Sequence, residues 1–335
     1  MSKTILVTGA AGFIGSHVAQ QLLERGDVVV ALDNLNDYYS PERKLANIEE
    51  VRAAGAAKGL AENLHFVKID LRDRAALKEL FERFQFDAIA NLAAMAGVRV
   101  SLEDPQLYYD VNCAGTLNLL DGLTGRLTGT QPEKLANFIL ASTSSAYGNT
   151  KVMPFVETDP CNEPLAPYAA SKRAAELLLY SYHFNYQVPA TVLRFFNVYG
   201  PRGRPDMMAY KVLDSIFNGT TVPYFNGGQM HRDWTFVDDI SSGVVAACDR
   251  PQEFEVINLG RGLPVLLADF VVLLEKLADG KATLKEEKAP PADILYTYAD
   301  ISKAQRLLDY NPQVTVEEGC RRLWEWYRSE VLQKG

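Results

Sequence analysis

The sequence predicts an α/β fold, a doubly wound parallel sheet followed by a smaller C-terminal α/β lobe, on three observations. A series of short strand-like runs is apolar at every position instead of alternating, as strands are when helices cover both faces of a parallel sheet. Segments of helical period lie between those runs. After Gly200 the alternation stops and the elements shorten. Strand and helix in regular succession is the pattern of a doubly wound domain.

The elements follow in order. Residues 5–8 form the first strand, and residues 13–25 form a helix with Gly26 placed to cap it. Residues 28–32 are a β-branched run ending at Asp33, and residues 64–69 are a third run ending at Asp70. Residues 73–84 have helical spacing, as do 104–120 and 168–186. Residues 88–92, 138–141 and 191–195 complete the strands, and residues 55–58 read as a mobile, small-residue stretch. Pro201-Arg202-Gly203-Arg204-Pro205 is a basic, turn-rich break. It sets the expected boundary between a first domain, residues 1–200, and a lobe, residues 201–335, with later segments free to return to the first. Two helices are expected near the C-terminus, at Ser302–Leu308 and residues 316–330.

The 335 residues carry a formal net charge of −8, which argues against nucleic-acid and anionic-membrane partners. A first strand near residue 4 leaves no room for a signal peptide, and no apolar stretch approaches a membrane span. Cys113, Cys161, Cys248 and Cys320 are too widely spaced for a metal or redox motif. A reduced, cytoplasmic chain without a metal site is the expectation.

Gly9-Ala10-Ala11-Gly12-Phe13-Ile14-Gly15 follows the first strand and opens the first helix. Such a turn brings backbone N–H groups and a helix N-terminus to a pyrophosphate. Asp33 ends the second strand about twenty residues on, where a carboxylate accepts bonds from a ribose diol and repels a 2′-phosphate. The arrangement is Rossmann-type, and the cofactor it predicts is NAD. Asp70 bonds the adenine edge or caps the helix that follows; position alone allows either. The expected cofactor residues are Gly9, Gly12, Phe13, Ile14, Gly15, Asp33 and Asn34. Asp70, Leu71, Leu92, Ala93 and Ala94 join them at the ends of the third and fourth strands.

Tyr168 and Lys172 stand four apart, on one face of a helix. A phenol of ordinary pKa about 10 is a poor base at neutral pH, and a neighbouring ammonium lowers it. The lysine also reaches the nicotinamide ribose. Tyr168 would then exchange a proton with a substrate oxygen while hydride moves. Ser142-Thr143-Ser144-Ser145 follows a strand and places hydroxyls on a sugar hydroxyl or its carbonyl.

The glycine turn, Asn91-Leu92-Ala93-Ala94, the serine-rich turn, the Tyr168–Lys172 pair and Arg194-Phe195-Phe196-Asn197-Val198-Tyr199-Gly200-Pro201 together resemble the extended short-chain dehydrogenase/reductase family. Asp33-Asn34-Leu35-Asn36-Asp37-Tyr38-Tyr39, Ala96-Gly97-Val98-Arg99 and Gly203-Arg204-Pro205-Asp206-Met207 resemble its UDP-glucuronate 4-epimerase branch. The resemblance covers essentially the whole chain. It implies Thr143, Tyr168 and Lys172 as catalytic residues and a UDP-sugar as substrate. Ser144, Ser145, Arg99 and Asn197 would contact that substrate. Arg204 would face its carboxylate, Arg232 its diphosphate and Asp293 its uridine ribose. It further implies a homodimer built through residues 104–120 and 168–186.

Three positions depart from the branch: Asn91 where histidine is usual, Asn197 where threonine is frequent, and Pro290-Pro291-Ala292 where some relatives carry an arginine. Asn197 is the choice of neutral UDP-hexose epimerases, so UDP-glucose/UDP-galactose epimerisation is the alternative. A decarboxylase or dehydratase resembles a pattern with an acidic residue where Ser145 stands.

Overall fold

The computed structural model describes residues 2–290 and 294–333. Six strands of the main sheet and six α-helices, with a further short strand at Asn197–Tyr199, lie within the first 200 residues. The strands are β1 (Thr4–Thr8), β2 (Val28–Asp33), β3 (Leu64–Lys68), β4 (Ala88–Asn91), β5 (Asn137–Thr143) and β6 (Ala190–Phe195). Every residue of β4, β5 and β6 is buried, which explains why each reads as a continuous run. The helices are α1 (Phe13–Glu24), α2 (Pro41–Ala57), α3 (Arg74–Arg83), α4 (Pro105–Tyr109), α5 (Gly115–Leu123) and α6 (Pro167–Tyr186). The later segment that returns to the sheet is Phe254–Leu259. It pairs with β6 and completes a seven-stranded order of Phe254–Leu259, β6, β5, β4, β1, β2, β3. All pairings in that sheet are parallel. The sheet order turns back on itself between β1 and β4, and open parallel sheets bind ligands at such a point.

Two findings differ from the expected elements. Residues 41–57 form α2, capped by the Ser40 hydroxyl on Arg43 N and started by Pro41. Its buried stripe is Lys44, Asn47, Ile48, Val51 and Gly55, so polar residues hide the period, and residues 55–57 close the helix where a mobile stretch was expected. The helix expected over 104–120 is broken at Asp110–Ala114 into a π-helical turn between α4 and α5.

The remaining helices are α7 (Met208–Asn218), α8 (Val237–Asp249), α9 (Leu267–Ala278), α10 (Ser302–Leu308) and α11 (Val316–Tyr327). Helix α8 packs on α1, while α7, α9 and α11 pack together with the short parallel pair Thr221–Phe225 and Thr283–Glu287. The C-terminal aromatics serve this packing: Trp324 stacks on Phe217 at 5.2 Å and Tyr327 is fully buried. The basic break is tethered rather than solvated at one residue. Arg202 donates to Glu50 of α2 at 2.7 Å and to Gln20 of α1 at 2.8 Å. No described helix is long and apolar enough to cross a membrane.

Candidate active site

The first wall of the site is set by glycine. Gly9 has φ +67°, and a Cβ on it would lie 2.9 Å from the Ala93 backbone. A Cβ on Gly15 would meet the Gly9 carbonyl oxygen at 2.0 Å, so the turn closes with no side chain at either position. The first turn of α1 has no side-chain cap and no acidic residue. Its N–H groups and positive dipole end are therefore available to an anion. Gly9, Gly12, Phe13, Ile14 and Gly15 line one cleft with it.

Asp33 reaches the same cleft from the end of β2. Its Oδ2 accepts from Ala11 N at 3.1 Å and its Oδ1 from Leu35 N at 2.9 Å. A carboxylate has about four acceptor sites, so capacity remains for a diol. Burial raises its pKa, against the Leu35 N–H and the nearby Lys44 ammonium. Lys44 is a residue the sequence reading missed. It is buried within α2, and its Nζ donates to the Asn36 carbonyl at 2.7 Å. An open helix N-terminus beside a diol-facing carboxylate is a donor set that fits a dinucleotide.

Asn34, Asp70, Leu71, Leu92, Ala93 and Ala94 line this cleft as well. Asn34 Nδ2 donates to Asp70 Oδ2 at 2.9 Å. Arg72 grips both Asp70 oxygens and holds that carboxyl well below the usual carboxylate range. The residue that caps α3 is Asp73, which accepts from Ala75 N and Ala76 N. Of the two readings open for Asp70, capping therefore belongs to its neighbour. Asn91, the departure from histidine, is satisfied inside the fold: it accepts from Thr8 Oγ1 at 2.8 Å and donates to Thr116 Oγ1 at 3.0 Å.

Helix α6 carries Tyr168 and Lys172 into the cleft. Thr143, the last residue of β5, accepts from Ser145 N at 3.1 Å and hydrogen-bonds the Tyr168 phenol. Burial pushes that phenol above its ordinary pKa, while the Thr143 bond and the Arg204 guanidinium oppose the rise. The cation that opposes burial at Tyr168 is thus Arg204, where the spacing had suggested Lys172. Burial pulls Lys172 down to about 8, and the Glu176 carboxylate one turn further along opposes it. Lys172 then carries its charge below pH about 8 and loses it above. Turnover that needs the ammonium is expected to fall as pH rises through about 8, and Glu176→Gln should move that limb to lower pH. A pH–rate profile of both proteins checks this; a limb that stays in place removes Glu176 from the argument.

Two further sets of side chains fix this helix. Glu176 and Asn112 at their centres were not named from the sequence, and the Ser142 hydroxyl, expected on the sugar with those of Thr143, Ser144 and Ser145, is buried and spent on Glu176 instead. Glu176 accepts from Arg194 Nε at 3.0 Å, Arg194 Nη2 at 2.7 Å and Ser142 Oγ at 2.5 Å. The signal was a glutamate four residues after Lys172 and an arginine inside an apolar strand. Asn112, in the π-helical turn, accepts from Met95 N at 2.8 Å and donates to Ser171 Oγ at 3.0 Å. Ser171 in turn donates to the Tyr168 carbonyl at 2.8 Å.

Thr143, Ser144, Ser145, Asn197 and Arg232 line a second cleft, and Arg99, Asn197 and Arg204 line a third. Phe195 is shared by the first and second, and Arg204 by the first and third. The guanidinium of Arg99 lies 4.0 Å over the Phe225 ring. Arg232 donates to the His231 carbonyl at 2.9 Å. Asp233, a conceivable ion partner for it, instead accepts from the backbone of Arg261, Gly262 and Ala299. Asp293 lies outside the described residues. Among the described residues, no group of three His, Cys, Asp or Glu could hold a metal ion.

The profile of the GDP-mannose 4,6 dehydratase family matches residues 6–323. The chain belongs to this family of extended short-chain dehydrogenases/reductases. Within the GDP-mannose 4,6 dehydratase family it is similar to epimerases. It is 40% identical over 327 residues to a UDP-glucuronate 4-epimerase of Thermodesulfobacterium geofontis, covering 97% of this chain and 96% of that protein. The crystal structure of UDP-glucuronic acid 4-epimerase from Bacillus cereus, in complex with UDP-glucuronic acid and NAD, superposes with a TM-score of 0.86. That protein is 35% identical, with 97% of this chain and 99% of that one covered. A UDP-glucose 4-epimerase from Thermotoga maritima, solved with UDP-glucose, gives a TM-score of 0.84 at 30% identity, covering 97% of this chain and 98% of that one.

Proposed function

We propose that this chain interconverts UDP-glucuronate and UDP-galacturonate by inverting C4 through a transient 4-keto sugar, with bound NAD. The observation that carries the choice of sugar is Arg204, a guanidinium that lines both the Tyr168 cleft and the cleft beside it. Similarity to UDP-glucuronate 4-epimerases across nearly the whole chain supports the same reading.

When bound, NAD supplies a hydride acceptor for C4 and the donor that returns it. Tyr168 takes the C4 hydroxyl proton as hydride leaves and gives one back at the end, so its phenol starts and finishes protonated. Thr143 holds the same oxygen and orients the phenol. Lys172 steadies the ribose next to the reacting ring. Arg232 and Asn197 grip the diphosphate, with Asp293 on the uridine ribose, so the 4-keto sugar can turn over about a fixed link. Ser144 and Ser145 offer further hydroxyls to the substrate from the Thr143 cleft, and Arg99, in the cleft it shares with Arg204, contacts it as well. Ser145 cannot supply the acid or base that elimination of water needs.

A 4-keto uronate is a β-keto acid and loses carbon dioxide when its carboxylate bond aligns with the ketone π system. A two-point guanidinium contact holds the carboxylate in one plane. Arg204→Ala is expected to weaken the preference for UDP-glucuronate over UDP-glucose by about 2 kcal/mol, roughly thirty-fold, and to leak UDP-pentose. Product analysis by proton NMR checks both, and a variant that keeps its preference without leaking removes Arg204 from the carboxylate. The reading itself is tested by incubating the purified protein with UDP-glucuronate and no added NAD. UDP-galacturonate supports the reaction and a resident cofactor. UDP-pentose alone makes the chain a decarboxylase. Turnover of UDP-glucose with UDP-glucuronate untouched makes Asn197 the better guide.

The same reading places the protein in the cytoplasm, in keeping with its four free cysteines. It also makes it a homodimer. Leu177, Tyr180 and Phe184 are exposed along α6, and Leu102 and Tyr109 lie exposed at and just before α4, which packs on α6. Such a stripe is the kind of surface a second copy covers. Light scattering that returns the mass of a single chain would refute the dimer.

A further inference from the structure

The guanidinium assigned to the substrate carboxylate has a partner of its own. Arg204 donates from Nε to Asp206 Oδ1 at 2.9 Å and from Nη2 to Asp206 Oδ2 at 3.0 Å. This parallel pair takes the lateral edge of the guanidinium. It leaves Nη1 and the outer hydrogen of Nη2, the end-on edge, for a second carboxylate. The guanidinium lies 5.7 Å from the centre of the Tyr38 ring. Tyr38 is itself anchored, its hydroxyl donating to the Ala96 carbonyl at 2.9 Å, an oxygen that Tyr108 shares at 2.9 Å. Met207 N bonds the Arg204 carbonyl at 3.1 Å and closes the turn that carries both partners. Arg204 lines the Tyr168 cleft, whereas Asp206 lines the adjoining one. Arg204 thus reaches the Tyr168 cleft while Asp206 holds it from the adjoining one.

We propose that Asp206 is a positioning residue that fixes the end-on edge of Arg204 toward the sugar carboxylate and so decides whether the 4-keto uronate keeps that carboxylate. The proposal rests on the epimerase reading above. In the competing step the C5–C6 bond breaks, its electron pair passes into the C4 ketone as an enolate, carbon dioxide leaves and C5 takes up a proton. Return of hydride to C4 then gives a UDP-pentose. An arginine free on its long stem follows the carboxylate as it rotates into alignment with the ketone. An arginine locked by Asp206 does not follow, and it is ordered before the ligand arrives. Asp206 also hydrogen-bonds the Tyr38 hydroxyl, so its effect on the sugar carboxylate runs through Arg204 and the Tyr38 ring beside it.

The test compares wild type, Asp206→Ala and Asp206→Asn on UDP-glucuronate and on UDP-glucose, with products read by proton NMR and folding by thermal melting. The Asp206 side chain is 41% exposed, so its removal leaves little buried surface behind. Asp206→Ala is expected to raise the UDP-pentose share several-fold and to lower the preference for UDP-glucuronate roughly tenfold at a near-normal melting temperature. Asp206→Asn, which keeps the shape without the charge, should fall between, and it reads the same quantities should the alanine variant fail to fold. An unchanged product partition in a folded variant overturns the proposal. So does tighter binding of UDP-glucuronate at unchanged partition, which would make Asp206 a competitor of the substrate. A wild-type protein that leaves UDP-glucuronate untouched overturns the epimerase reading and the proposal with it. Wild-type turnover with an unaffected Asp206→Ala partition overturns the proposal alone.

Discussion

Tyr168→Phe is expected to lower kcat by about 10³-fold, with KM for the nucleotide sugar and the bound cofactor nearly unchanged. The substitution removes one oxygen from a ring that packs edge-on against Tyr108 at 6.1 Å, and phenylalanine preserves that contact. It also leaves Lys172 and Thr143 in place, so the loss isolates proton transfer from binding. The size follows from the environment. Burial raises the phenol pKa, so very little free phenolate exists at neutral pH. The proton must therefore move during hydride transfer, helped by Thr143 and by the Arg204 guanidinium. Without the oxygen nothing else aimed at C4 can accept it. Steady-state kinetics on UDP-glucuronate would show the split, and a phenylalanine variant retaining a tenth of wild-type kcat would mean that another group carries the proton.

The parts of this site that could be read from the chain are the parts whose chemistry is local. Ile5, Leu6 and Val7 are buried on both faces of the sheet, so the strand leaves a run of apolar letters. Gly9 and Gly15 pack backbone on backbone within a few residues, so the turn leaves its own pattern. Tyr168 and Lys172 share a helix face. What stayed hidden has partners far along the chain. Lys44 and Asn47 look like surface residues of α2, yet both are buried, and Asn47 donates to the Ala11 carbonyl at 2.9 Å. Asn258 breaks the apolar pattern of Phe254–Leu259 because it accepts from the Tyr147 hydroxyl, 111 positions away, at 2.7 Å. The π-helical turn at Asp110–Ala114 has no period of its own, and its result, Asn112 bonded to Met95 and Ser171, follows from tertiary packing. Asp70 and Asp73 were indistinguishable as letters, and only Arg72 and Asn34 separate their tasks.

Arg194→Met is expected to be the most destabilising single change near the site, by about 3–5 kcal/mol. Arg194 and Glu176 are each 1% exposed and joined at 2.7 Å, with a second bond at 3.0 Å. Removing the cation strands a carboxylate in the interior, with Arg173 and Ser142 as its remaining partners. Glu176 is held below the usual carboxylate value, burial notwithstanding, chiefly by its bonds to Arg194. The pair therefore contributes fully at neutral pH, above the unfolded carboxylate value, and the contribution is lost as pH falls through the depressed folded one. A melting temperature lower by roughly 10 °C at pH 7 is the expected reading, shrinking as the solution is acidified. Joint replacement, Glu176→Gln with Arg194→Met, removes both charges and should recover much of the stability. It should not recover the basic limb of the pH–rate profile, because Lys172 would still lack Glu176. Stability and catalysis are thus separable at one buried carboxylate. If the double variant regains the wild-type limb along with its melting temperature, the Glu176 charge serves the fold alone.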